Sequence, residues 1–290
     1  MDCTAKKTNF EIKNLEPTIF KAIVIVFKKE LTIFFRYPSW FISSIIWPIL
    51  FPLGYIFTAK ALAGLGNDSL SSFAELSGTS DYTSYMIIGT TMWMWINAML
   101  WSFGTSLRTE QIRGTLESNW LCPVPKISLL LGYSLFQLFN SVIFMLISVV
   151  EFKLVYNFKF TGSPLLAAAV VLISVPSIYG IGFIFASLVM WAKETDAMVF
   201  LVRGIMTVFC GITYPLAVLP EWMESVSKFI PLTYSIRSLR LVISSGASIN
   251  EIKNDILILL ASGAILMACG ILSFYHTQKK VKETGSLGHY

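Results

Sequence analysis

Glu110, Arg113 and Glu117 stand three and four residues apart in SLRTEQIRGTLESNWLCPVPK, residues 106–126. That spacing puts side chains on one face of a helix. Three charges in register between two apolar stretches make a surface that a soluble partner can grip, and a solvated connector is the plainer reading of the same charges. Gly114 costs such a helix about 1 kcal/mol relative to Ala, which suits a place where another backbone comes close. Pro123 and Pro125 break the helix before the next apolar stretch begins. A second acidic pair, Glu194 and Asp196, sits in the tight turn Lys193-Glu194-Thr195-Asp196.

Residues suited to bond-breaking chemistry are scarce. Hydrolysis or group transfer in a membrane needs convergent His, Asp, Ser or metal ligands. The two histidines, His276 and His289, lie at or beyond the end of the last apolar stretch, and no HExxH occurs. Cys3, Cys122, Cys210 and Cys269 are scattered without CxxC or Cys/His ligand spacing, so neither a zinc site nor a disulfide framework is expected. They read as small apolar filler. No GxxxxGK[ST] phosphate loop is present, so ATP chemistry is not expected on this chain.

The elements that carry these residues follow from composition. Of 290 residues 55% are hydrophobic and 13% charged, where a soluble domain carries about 25% charged residues. The mean hydropathy is +0.68. Too few charges remain to coat a soluble domain, and the formal net charge of +5 is spread along the chain without the basic face that nucleic acids require. An all-α membrane protein is expected.

Runs of about 20 mostly apolar residues cross a bilayer. Six are found: Trp40–Ala59, Tyr85–Leu107, Ile127–Val150, Pro164–Trp191, Ala197–Leu219 and Ile256–Tyr275. An even number puts both termini on one side. With the termini inside, the inner segments hold fourteen Lys/Arg and the outer segments seven, so the positive-inside rule makes both termini cytoplasmic. The first 39 residues carry seven Lys/Arg and four acids, unlike a signal peptide. The expected division is a tail at 1–17, an amphipathic interfacial helix at 18–39, a six-span domain at 40–275 and a cytoplasmic tail at 276–290.

Two segments are amphipathic without spanning. Thr18–Arg36 sets Phe20, Ile23, Val24, Phe27, Leu31, Phe34 and Phe35 against Lys21, Lys28, Thr32 and Arg36. Such a helix lies in the cytoplasmic interface, its lysines drawn to anionic headgroups. Between the fifth and sixth spans, Pro220 opens a short helix and Pro231 ends it, with Glu221 and Glu224 in its first turn. Trp222, Val226, Phe229 and Ile230 share its apolar face. A second short helix sets Leu232, Ile236, Leu239 and Ile243 against Thr233, Arg237, Arg240 and Ser244. Together they read as a re-entrant hairpin dipping in from outside, or as helices resting on the outer headgroups.

Polar residues inside the spans are Asn97, Gln137, Asn140 and Arg203. The three amides either hydrogen-bond between helices or line a translocation route. Arg203 either snorkels to the inner interface, pairs with Glu194 or Asp196, or rings the inner mouth of a pore. Pro48 and Pro52 are expected to kink the first span. Glu151, ending the third, is expected to reach outer headgroup water.

The chain resembles the permease subunits of type-2 ABC exporters, the class of daunorubicin-type drug exporters and polysaccharide or teichoic-acid exporters. The likeness runs over roughly residues 18–275. It rests on the cytoplasmic amphipathic helix, the six spans, and the element Glu110-Gln-Ile-Arg113-Gly114-Thr115-Leu116-Glu117 followed by Pro123-Val-Pro125. It also rests on the return hairpin, Tyr214-Pro215…Leu219-Pro220-Glu-Trp222…Pro231-Leu-Thr-Tyr234…Arg237…Arg240. The resemblance implies a non-catalytic subunit, with ATP and Mg handled by two copies of a separate ATP-binding subunit. Glu110, Arg113, Gly114, Thr115, Glu117, Glu194 and Asp196 are the expected coupling residues. A full exporter of this class has twice the spans, so a second permease copy is implied, as a homodimer or a heterodimer.

Asn97, Gln137, Asn140, Arg203, Tyr214, Trp222 and Phe229 are the expected path or gate residues for a drug, lipid or lipid-linked glycan. The localisation implied is the bacterial-type cell membrane. An ATP-independent secondary transporter or channel is the alternative. Carriers of that kind usually show intramembrane carboxylates or inverted repeats, and neither is visible near a span centre.

Overall fold

In the computed structural model, residues 19–63, 68–79, 81–112, 121, 124–156, 158, 160–192 and 195–283 are described, and their regular elements are all helical. The elements are α1 (Ile19–Arg36), α2 (Ser39–Ala63), α3 (Asp68–Ser77), α4 (Tyr82–Ile112), α5 (Ile127–Val155), α6 (Pro164–Ala192), α7 (Thr195–Phe209), a single 3-10 turn (Leu216–Val218), α8 (Glu221–Ser227), α9 (Pro231–Ser245) and α10 (Lys253–Glu283). Four of them, α2, α5, α6 and α10, are long and apolar enough to cross a membrane. The short α3 lies between the expected first and second spans.

The central helix is α4. Its 31 residues extend about 46 Å at 1.5 Å per residue, but Thr90, Thr91, Asn97, Thr105 and Ser106 dilute its hydropathy. Burial explains the tolerance, because Met86, Ile87, Met92, Trp95, Ile96, Met99 and Leu100 are all within 2% of full burial. Their hydroxyl-bearing neighbours satisfy themselves locally: Thr90 and Thr91 donate back to the carbonyls of Met86 and Ile87 at 2.7 Å. In lipid, burial of an apolar side chain gains no hydrophobic free energy. Association therefore rests on close packing and interhelical hydrogen bonds.

The pair α6 and α10 shows that packing. A Cβ added at Gly180 would stand 2.4 Å from the Leu266 carbonyl carbon, and one at Gly270 would stand 2.6 Å from the Gly180 oxygen. Ser177 Oγ donates across the same seam to the Leu259 carbonyl at 3.1 Å.

The fifth helix, α5, is amphipathic in the inverse sense. Ser128, Ser134, Gln137, Ser141, Ser148 and Glu151 form its buried side, while Leu135, Phe139, Val142, Leu146, Val149 and Val150 are exposed. A helix whose polar stripe faces its neighbours and whose apolar stripe faces out is built for a lipid surround. Glu151 is buried, with neither carboxylate oxygen hydrogen-bonded, contrary to the expected contact with headgroup water.

The expected fifth span, Ala197–Leu219, is not one helix. α7 stops at Phe209, and its 15 residues extend only about 22 Å. The chain turns at Gly211, whose φ of +63° is the left-handed conformation that terminates helices.

Candidate functional site

Residue types from three helices meet where α1 crosses the C-terminal end of α4 and the N-terminal end of α5. Lys29 Nζ donates to Glu110 Oε1 and, at 3.0 Å, to the Tyr133 hydroxyl, which itself donates to Glu110 Oε1. Glu30 lies 3.3 Å from the same ammonium. Glu110 is 3% exposed. A carboxylate buried this far is tolerated only when paired and hydrogen-bonded, and Lys29 with Tyr133 supplies both.

The packing face of α1 explains Lys29. Ala22 and Val26 are the buried residues of the helix, and Lys29 follows Val26 on the same side by helical spacing. Phe20 and Phe35, placed on the apolar face of an interfacial helix from the sequence, are 70% and 72% exposed on the protein surface. Phe27 and Phe34 do pack, edge-on against Phe136 of α5 at 6.3 and 6.0 Å between centroids. The charge stripe Lys21, Lys28, Thr32 and Arg36 is exposed as expected.

Of the expected coupling residues, Glu110 and Asp196 are described, whereas Arg113, Gly114, Thr115, Glu117 and Glu194 lie outside the described residues. Asp196 is exposed in the first turn of α7, where the positive end of the helix dipole favours an acid. Beside it Thr195 is buried, its hydroxyl 3.5 Å from the Gly104 carbonyl of α4.

A second cluster lies midway along the helices. The Arg203 guanidinium sits 4.4 Å from the Phe200 ring centre and 5.7 Å from that of Trp93. Trp93 stacks on Phe51 of α2, 4.5 Å apart with planes 7° from parallel, and donates its indole N–H to Thr207 Oγ1 at 2.7 Å. Thus α2, α4 and α7 meet on one tryptophan. Asn97, one turn along α4 from Trp93, has a buried Oδ1 without a partner. Gln137 is buried and Asn140 half-buried on α5. The stacking is a fourth solution for Arg203, beyond snorkelling, acid pairing or a pore ring, and the aromatic residues one turn or less away were the signal for it.

At the far end, α8 and α9 begin at the prolines that the sequence marks, Pro220 and Pro231. Trp222 and Phe229 are 64% and 87% exposed. Tyr214 is half-buried, its hydroxyl donating to the Val208 carbonyl at 2.6 Å. Arg237 bridges to Asp255 in the first turn of α10, with Nε to Oδ2 at 2.8 Å and Nη2 to Oδ1, and Ser238 Oγ adds a bond at 3.2 Å. That carboxylate pushes the Arg237 guanidinium above its ordinary range by hydrogen bonding. Lys29, Tyr133, Trp93 and Asp255 carry these joints and were not singled out for them from the sequence.

Several long apolar helices, a polar stripe turned inward and hydrocarbon turned outward describe a multi-pass membrane protein. A family model described as ABC-2 family transporter protein matches residues 57–272, and the chain belongs to that family. Its members are generally the non-catalytic membrane subunits of ABC transporters, which act with an ATP-binding partner. The Linearmycin resistance permease protein LnrN of Bacillus subtilis (strain 168) is 31% identical to this chain over 114 residues. The matched stretch is 38% of this chain but 29% of that protein.

Proposed function

We propose that this chain, paired with a second copy, forms the translocation path of an ATP-driven exporter for an amphipathic or hydrophobic cargo. In this reading both termini are cytoplasmic, six segments of the chain enter the membrane, and α8–α9 is a re-entrant hairpin at the outer side. Two ATP-binding subunits dock at the α1 end. A resistance permease among the relatives favours a drug-type cargo within that class.

The observation that carries the reading is the buried junction of Lys29, Glu110 and Tyr133. Glu110 opens the charged element that continues through Arg113 and Glu117, so a push on that element reaches α4, α5 and α1 together. Rigid helices transmit displacement along their length, and a buried charge pair resists being pulled apart. The exposed Lys21, Lys28 and Arg36 of α1 rest on anionic headgroups and hold the junction at the interface. The moving α4 carries Trp93 and Asn97, which with Arg203 line the path together with Gln137 and Asn140. Tyr214, Trp222 and Phe229 stand at its outer end.

Purification of the tagged full chain in mild detergent tests this directly. The expected result is a stoichiometric partner bearing a phosphate loop, with ATP hydrolysis rising as candidate drugs or lipids are added. A chain that purifies free of any ATPase overturns it. Topology has its own check: Trp222→Cys should react with an impermeant thiol reagent added outside intact cells, and labelling from the cytoplasm alone reverses the orientation.

A further inference from the structure

The break in α7 is closed by one side chain from a distant helix. Arg240, on α9, sends Nη1 to the Gly211 carbonyl at 2.8 Å and Nη2 to the carbonyls of Ile212 at 2.8 Å and Tyr85 at 3.2 Å. The guanidinium carbon lies 3.3 Å from the centre of the Tyr85 ring. Among the described residues no carboxylate pairs with it. The partners suit a cation all the same, because backbone carbonyl oxygens are obligatory acceptors, and Gly211 and Ile212 lie in the turn beyond the end of α7, outside its helical ladder. A planar fork of five N–H donors serves several carbonyls at once, where an ammonium is a single point.

The surroundings leave this joint no slack. Gly89, one turn along α4 from Tyr85, has no room for a side chain: a Cβ there would lie 2.0 Å from the Ile212 oxygen and 2.6 Å from Arg240 Nη2. On either side of Arg240, α9 is tied as well, by Arg237 to Asp255 and by the Thr161 N–H to the Ile243 carbonyl at 3.1 Å. Leu232, Ile236, Leu239 and Val242 are buried along its length. By contrast Trp222 on α8 and Phe229 in the turn after it are mostly exposed.

We propose that Arg240 is a positioning residue that pins the broken end of α7 to α4, so that α4, α7 and α9 keep one mutual geometry through the transport cycle and α8 carries the motion at this end. The inference rests on the reading of the chain as a transport path, but the pin itself is a property of the resting protein and is tested there first.

Cys210 is the reporter: it precedes Gly211 and is 1% exposed. With Cys3, Cys122 and Cys269 changed to serine, the full chain in lipid nanodiscs carries that thiol alone, and its alkylation by N-ethylmaleimide is timed. Arg240→Met is expected to raise the rate at least about tenfold, with Arg240→Lys in between. Arg237→Met, which cuts the neighbouring ion pair on the same helix, should stay within about twofold of the parent. Gly89→Ala should open the same joint from the α4 side and supplies the reading if Arg240→Met does not fold. A parent-like rate in Arg240→Met or Gly89→Ala, or an equal rise in Arg237→Met, overturns the pin. These measurements need neither ATP nor cargo, so failure of the exporter reading leaves them standing. In the complex with its ATPase, turnover should change labelling of Trp222→Cys while Cys210 stays shielded; Cys210 rising in step with position 222 overturns the division between fixed and moving parts.

Discussion

Lys29 and Glu110, 81 residues apart in sequence, form an ion pair in which the carboxylate is buried and the ammonium half-exposed, with 4% and 38% of their side chains accessible. The two partners are therefore not equivalent. Lys29 retains a route to solvent or headgroups when its acid is lost, whereas Glu110 stays buried when its base is lost.

That asymmetry sets the order of two substitutions. Lys29→Met strands a buried carboxylate and should destabilise the protein by about 3 kcal/mol, the lower end for a broken buried pair because Tyr133 still donates. Glu110→Gln should cost less, about 1 kcal/mol for a neutral hydrogen bond in place of a charged one. Unfolding in graded denaturing detergent measures both. The exchanged pair, Lys29→Glu with Glu110→Lys, should recover part of the loss, and equal costs for the two single changes would contradict the buried geometry.

The tryptophan at the meeting of α2, α4 and α7 separates two contributions. Trp93→Phe keeps a ring against Phe51 and Arg203 but removes the N–H that Thr207 accepts, for a loss of about 1 kcal/mol. Arg203→Lys keeps the charge but not the planar stacking surface, for a loss of about 0.5–1 kcal/mol. Thermal unfolding reads the stability, and a panel of candidate cargoes is expected to shift more with Arg203→Gln than with Trp93→Phe.

The α9–α10 bridge resembles the Lys29 pair in its imbalance, since Asp255 is 5% and Arg237 54% accessible in side chain. Arg237→Ala leaves the acid with Ser238 Oγ and with the favourable first turn of α10, so the cost falls to about 2 kcal/mol, below that of an isolated buried charge. Limited proteolysis between α9 and α10 should become faster.

Acid should loosen the loop after α9 before it affects the helices. Glu251 accepts from the Ser248 N–H at 3.0 Å and from its hydroxyl at 2.8 Å. Those bonds, the backbone one foremost, hold its carboxyl below the ordinary value of 4.5. A depressed pKa in the folded state means that the stabilisation is present above the unfolded value and vanishes as pH falls through the folded one. Hydrogen-exchange protection at residues 246–252, corrected for the intrinsic rate at each pH, should therefore fall only in acid below the ordinary carboxylate range, and Glu251→Gln should remove that step.

Much of the local structure was legible in the chain. Pro220 and Pro231 start α8 and α9 because proline is accepted at a helix start and little further in. The run at 18–36 reads as one amphipathic helix because its apolar residues recur at helical spacing. Yet the same periodicity did not separate the phenylalanines that pack on α5, Phe27 and Phe34, from the exposed Phe20 and Phe35, and it passed over Lys29. A helical wheel reports which residues share a side, and not how far a neighbouring helix wraps around it.

The sequence by itself determined that this is a membrane protein, since composition and apolar run length are properties of the chain alone, and its motifs in their order carry the resemblance to the ABC-2 family that the family match bears out. The expected fifth span ran past Phe209 because Cys210–Leu219 is as apolar as the helix before it, although Gly211 and Pro215 in that stretch mark a break. What only the tertiary structure decided is that Arg240 arrives from α9 to take the Gly211 and Ile212 carbonyls in the turn that follows. Nor could the sequence pair Lys29 with Glu110 or Arg237 with Asp255. A buried charge selects its partner by proximity in the folded bundle, and proximity across helices leaves no trace in the spacing of either one.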